Sequence, residues 1–88
     1  MIKKLLTEFV GTFIFLGVIL TIGEAFPIGL SLATAIHFGG GISGGHFNPA
    51  VTIMMLFNKK IKQMDALFYV MTQIAAGICV LGFVKHFK

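Results

Sequence analysis

Ser43-Gly44-Gly45-His46-Phe47-Asn48-Pro49-Ala50-Val51-Thr52 decides how the whole chain reads. Asn48 has the chemistry of a helix N-cap, its side-chain oxygen able to accept an otherwise orphaned N–H of the first turn. Pro49 falls at the first helical position, where a missing N–H costs nothing and the fixed φ suits a helix. The apolar run Ala50-Val51-Thr52-Ile53-Met54-Met55-Leu56-Phe57 follows, closed by Asn58-Lys59-Lys60. At 1.5 Å per residue that run covers roughly 13 Å, about half of a ~30 Å hydrocarbon core. A capped helix too short to span, ended by lysines, reads as a re-entrant half-helix with its positive tip near mid-membrane.

The surrounding composition fits that setting. The 88 residues are 57% hydrophobic with a mean hydropathy of +0.97, outside the range of ordinary soluble domains. A small soluble bundle would need polar helix faces that these segments lack. Seven lysines against three acids give a net charge of +4, and the lysines cluster at segment ends. That is how membrane proteins distribute charge, not a basic patch for nucleic acid. The single Cys79 excludes an internal disulfide and reads as a small apolar packing residue.

Outward from the half-helix, three apolar segments are expected to span, at about 5–22, 27–40 and 64–84. The fold class is therefore an all-α membrane protein, three transmembrane helices plus the half-helix at about 48–57, in one unit over residues 1–88. A cleaved signal peptide competes for the first segment because Lys3-Lys4 precedes it. The run is long for that role, carries Glu8, and lacks a clear cleavage site. Pro27 opens the second segment, and Gly39-Gly40-Gly41 is expected to break it. The glycines from Gly39 to Gly45 let the chain fold back tightly. A phosphate-cradling loop is excluded, since no strand precedes it and no lysine follows at the required spacing. With this topology Lys3, Lys4, Lys59, Lys60 and Lys62 share one side, opposite Lys85 and Lys88. The bias places the amino terminus in the cytoplasm and the carboxyl terminus outside.

The polar residues within the apolar segments are few. Glu8 lies about one turn inside the first helix, where an ionisable group is costly and usually partnered. It either snorkels to the near interface or accepts N–H bonds from the Gly-rich re-entrant backbone, which protein or water must satisfy in lipid. Gln73 can tie down the same loop or cross-link helices more generally. His46 has a loop-bonding role or a pH-gating one, and His37 faces a lumen or a neighbouring backbone group. Met54 and Met55 are packing groups, since a copper site would need several converging sulfur ligands. Neither a metal nor a cofactor is expected. An enzyme is not expected either: there is no nucleophile–base pair, paired carboxylate set or ligand cluster.

The quoted stretch resembles the first Asn-Pro-Ala loop of the aquaporin and glycerol-facilitator family, the major intrinsic proteins. Glu8-Phe9-Val10-Gly11-Thr12-Phe13 is similar to that family's opening helix, and Ala66-Leu67-Phe68-Tyr69 with Gln73 to its third. The resemblance covers nearly the whole chain but only the first of the family's two repeats. It implies a loop histidine at His46, loop support by Glu8, a pore donor at Asn48 and a pore contact surface at Pro49 and Ala50. Ile28, His37, Gly44, Gly45, His46 and Val51 are the other candidates for the pore wall. Ile28 stands where the family usually places an aromatic filter residue. The filter arginine has no counterpart, and Ala76-Gly77 reverses the usual small pair.

The resemblance implies a passive pore for water or small neutral solutes. Two half-helices meet at mid-membrane, their asparagines donate to the passing molecule, and their positive ends repel cations. One half-helix alone exposes first-turn N–H groups in lipid, each costing several kcal/mol. Three completions are expected: an inverted homodimer related by a two-fold axis in the membrane plane, pairing with a second-repeat chain, or a non-conducting protein or fragment that associates with full-length channels. Besides such a chain, the partners are the lipid bilayer and the solute, with no nucleic acid.

Overall fold

A computed structural model describes residues 1–87. Among the described residues it contains four helices and no strand: α1 (Ile2–Thr21), α2 (Ala25–Ser43), α3 (Pro49–Phe57) and α4 (Gln63–Phe87). Lys88, counted above with the outer lysines, lies outside the described residues. Helices α1, α2 and α4 have 20, 19 and 25 residues and are long and apolar enough to cross a membrane. Helix α3 has nine, giving a rod of roughly 13 Å. Helix α1 is central, packing against both α2 and α4, while α3 packs against α4.

The distribution of side chains matches lipid as the surrounding solvent. The largest apolar groups point outward, Phe26, Phe38, Phe57 and Ile78 among them, where they meet acyl chains at no cost. The interior holds small and polar residues: Gly11, Thr12, Gly39, Ser43, Thr52, Ala66, Gln73 and Ala76. With no hydrophobic drive between helices in lipid, close backbone approach and interhelical hydrogen bonds hold the bundle. Helices α1 and α4 meet reciprocally. Val80 of α4 packs over Gly17 of α1, where a β-carbon would lie 3.2 Å from its Cγ2. Leu16 of α1 packs in the same way over Gly77 of α4, with a corresponding distance of 3.3 Å.

The expected break at Gly39-Gly40-Gly41 does not occur. Helix α2 runs through it and ends at Ser43, capped by Gly44 in the left-handed region at φ +92°. Glycine weakens a helix in water by about 1 kcal/mol relative to alanine, partly because the freed backbone can hydrate. Lipid offers no such alternative, so the helical hydrogen bonds persist. Gly39 instead serves packing: a β-carbon there would stand 2.8 Å from Thr7 Cγ2 and 3.1 Å from Phe47 Cζ. The reversal falls on Gly44 and Gly45, both at positive φ.

Candidate functional site

The segment from Gly44 to Asn48 has neither helix nor strand, so its N–H groups need partners other than a regular ladder. Glu8 supplies most of them. Its Oε1 accepts from Phe47 N at 2.8 Å, and its Oε2 accepts from His46 N at 3.0 Å. Ser43 Oγ donates to Oε2 at 2.7 Å, and Gln73 Nε2 donates to Oε1 at 2.9 Å. Glu8 is fully buried. Four donors converging on one carboxylate offset the cost of holding a charge away from water. Snorkelling, the competing reading of Glu8, does not describe this position.

A second tier braces the first. Ser43 Oγ accepts from Gly45 N at 3.2 Å, and Tyr69 Oη donates to Ser43 O at 2.6 Å. Gln73 Nε2 also donates to Thr52 Oγ1 at 2.9 Å, and Thr52 Oγ1 lies 2.8 Å from His46 Nδ1. The His46 and Tyr69 rings are tilted against each other with centroids 5.1 Å apart. Gln73 thus links α1 to α3 from its place on α4. Thr12 Oγ1 and Gln73 Oε1 are buried and have no hydrogen-bond partner among the described residues.

Phe47 locks the loop mechanically. Its backbone is left-handed at φ 54°, a conformation costly for a bulky residue. The ring is 1% exposed and fills the space that β-carbons at Gly11 of α1 and Gly39 of α2 would need. Burial of the ring and the bond from Phe47 N to Glu8 hold the strained backbone in place.

Asn48 follows in extended backbone and caps α3, its Oδ1 accepting from Ala50 N at 2.8 Å, with Pro49 at the first helical position. The capping oxygen is thereby occupied, and Nδ2 of the exposed Asn48 has no hydrogen-bond partner among the described residues. Helix α3 closes in a left-handed turn. Lys60 N donates to Met55 O and Lys59 N to Leu56 O, the pattern of a Schellman motif, with Lys59 at φ 60°.

The structure brings Glu8, Gln73, His46 and Gly45 together around the loop. Pro49 and Val51 are half-buried and Ala50 is exposed on the first turn of α3. Gly44 is exposed beside His46, where a β-carbon would lie 3.3 Å from His46 Nε2. Ile28 is half-buried as the fourth residue of α2, remote in sequence from the loop. His37 is exposed and outside the Glu8 network, its ring edge-on to Phe38 at 5.0 Å between centroids. Ser43, Thr52, Tyr69 and Phe47 join the site although no single-residue signal marked them.

Beside the loop lies a half-open chamber of about 620 Å³ with a mixed lining, Lys4, Ser43, Gly44, His46, Asn58, Lys60, Lys62, Asp65 and Tyr69 together with Ile42, Met55 and Ile61. It collects at one end of the bundle the lysines that flank α1, α3 and α4. No group of three or more His, Cys, Asp or Glu side chains able to hold a metal occurs among the described residues.

Three spanning-length helices around a capped half-helix, with the intervening loop tied to a buried carboxylate, define a polytopic α-helical membrane protein with a re-entrant segment. The family model for the major intrinsic proteins matches residues 1–88, and the chain belongs to that family. It is 46% identical over 94 residues to the glycerol uptake facilitator protein-like 6 of Lactiplantibacillus plantarum, covering 97% of this chain and 44% of that one. It is 35% identical over 100 residues to the probable aquaporin PIP1-5 of Arabidopsis thaliana, covering 94% and 35% respectively. The aquaporin PIP1-2 of Zea mays gives the same identity and coverage. The chain therefore spans less than half the length of these curated relatives. No solved structure matches it. The fold is half of an aquaporin-like one.

Proposed function

We propose that this chain forms one half of a passive membrane channel for water or small neutral solutes. The observation that carries the reading is the state of Asn48: its oxygen is spent on the cap of a half-length helix, so the exposed residue keeps its Nδ2 as a free donor at a positive helix end. Such a tip attracts the oxygen of a neutral solute and repels cations and protons in a narrow low-dielectric passage. The names of the relatives, a glycerol uptake facilitator-like protein and two aquaporins, support the same solute classes.

The half-helix tip needs a complement of opposite orientation, because unpaired first-turn N–H groups at mid-membrane each cost several kcal/mol. A second, inverted copy of this chain would supply one. The lysine distribution favours another source. Lys4, Lys60 and Lys62 gather at one chamber, with Lys3 and Lys59 in the same flanks, against Lys85 at the far end of α4. That bias favours a single orientation with the amino terminus in the cytoplasm, and hence a distinct second-repeat segment as the complement.

Osmotic shrinkage of proteoliposomes tests the proposal. Vesicles with this chain and a second-repeat segment of a relative should shrink faster than empty vesicles in water and glycerol gradients. Permeability indistinguishable from empty lipid, with both segments shown to be inserted, would remove the channel reading.

A further inference from the structure

The hydrogen bonds around Gln73 have a direction. His46 N and Phe47 N can only donate, so both Glu8 oxygens act as acceptors. The group 2.9 Å from Glu8 Oε1 must then be the Gln73 amide nitrogen, since an oxygen there would face a carboxylate oxygen. The second hydrogen of the same Nε2 points at Thr52 Oγ1, 2.9 Å away, and makes that hydroxyl an acceptor from Gln73. The hydroxyl retains one proton to place. Thr7, Thr21 and Thr34 each place theirs on the carbonyl four residues earlier. Thr52 makes no such bond among the described residues, and its other polar neighbour is His46 Nδ1 at 2.8 Å.

We infer that the relay Glu8–Gln73–Thr52 fixes neutral His46 as the Nε2–H tautomer and so presents an N–H donor, not an acceptor, to the chamber beside the loop. A proton on Nδ1 would oppose the Thr52 hydroxyl proton, so Nδ1 is the acceptor and Nε2 carries the hydrogen. Nε2 has no hydrogen-bond partner among the described residues, and the ring lines the chamber. Access is kept by the missing side chain of Gly44, whose β-carbon would stand 3.3 Å from Nε2 and 3.5 Å from Cδ2. His46 is thus a donor two residues before Asn48, facing the chamber. It suits solutes that offer an oxygen acceptor, such as water and alcohols. The significance of this donor for permeation rests on the channel reading; the tautomer does not.

Solid-state NMR of the full chain in lipid bilayers, with ¹⁵N-labelled histidine, tests the inference whether or not the chain conducts. His46→Gln identifies the His46 signals by their loss. The expected result near neutral pH is one His46 form, protonated at Nε2 and bare at Nδ1, with polarisation transfer from water to the Nε2 hydrogen. Thr52→Val, which keeps the shape and removes the hydroxyl, should yield a mixture of tautomers, while Thr52→Ser should restore the single form. A proton on Nδ1 in the unsubstituted chain, no transfer from water to Nε2–H, or one unchanged tautomer in Thr52→Val would each overturn it. The unsubstituted chain decides the assignment even if a variant fails to fold. Osmotic permeability of the same bilayers reports separately on the channel reading.

Discussion

The ring of Phe47 occupies the space that a side chain at residue 11 would require, so the re-entrant loop and α1 are matched by the absence of one β-carbon at Gly11. Gly39 of α2 is matched to the same ring, since a β-carbon there would lie 3.1 Å from Phe47 Cζ.

Gly11→Ala should therefore force Phe47 out of its slot. Overpacking of a filled interior costs about 1–3 kcal/mol, and the left-handed backbone at Phe47 would lose its anchor as well. Gly41→Ala is the matched control. A β-carbon at Gly41 meets nothing within 4 Å, and the helix is already held by its lipid surroundings, so the stability should stay close to that of the unsubstituted chain. Unfolding in mixed micelles by a denaturing detergent should lower the midpoint for Gly11→Ala and leave that for Gly41→Ala close to the unsubstituted value.

Glu8→Gln should loosen the loop without disturbing the long helices. An amide offers one acceptor oxygen where the carboxylate offers two, and four donors converge there. Each buried donor left without a partner costs about 1–3 kcal/mol. Amide hydrogen exchange at His46 and Phe47 should accelerate strongly, while α1 and α4 amides away from residue 8 keep their protection. Unchanged protection at both loop amides would remove Glu8 from its role.

Lys59→Gly should stabilise the protein. Lys59 holds φ 60° at the end of α3, a left-handed conformation that costs an L-residue roughly 1–2 kcal/mol and a glycine almost nothing. The expected gain is about 1 kcal/mol, read from the same detergent titration.

Two substitutions at Asn48 separate its cap from its donor. Asn48→Asp keeps an oxygen for Ala50 N and removes the N–H donor, so stability should hold while the solute permeation proposed above falls. Asn48→Ala removes both, and should cost a further 0.5–2 kcal/mol or about that range for a lost cap. Equal permeation by the unsubstituted and Asp forms would take Asn48 out of the conduction step.

Much of this was legible in the residues because the decisive chemistry is local. Asn48 and Pro49 declare a helix start by properties that hold in any solvent, and the lysines after Phe57 bound its length. Glu8 announces a need for partners by lying in an apolar run, although the run does not say which partners. Ser43, Thr52 and Tyr69 were not legible as a network, since their hydroxyls act only after three helices converge and short polar residues are common in helices. The glycines at 39–41 misled because their cost was weighed as in water. Lipid leaves the backbone no alternative to its helix, and one of the three serves packing against Thr7 and Phe47.

The Glu8 carboxylate has a consequence for biosynthesis. Its four donors lie in residues 43, 46, 47 and 73, all of which leave the ribosome after α1 has been made. A nascent first helix thus carries a lone charge that is costly at depth in the bilayer, and the last donor arrives only with α4. Final seating of the first segment is accordingly a late event in membrane integration, completed when the third spanning helix delivers Gln73.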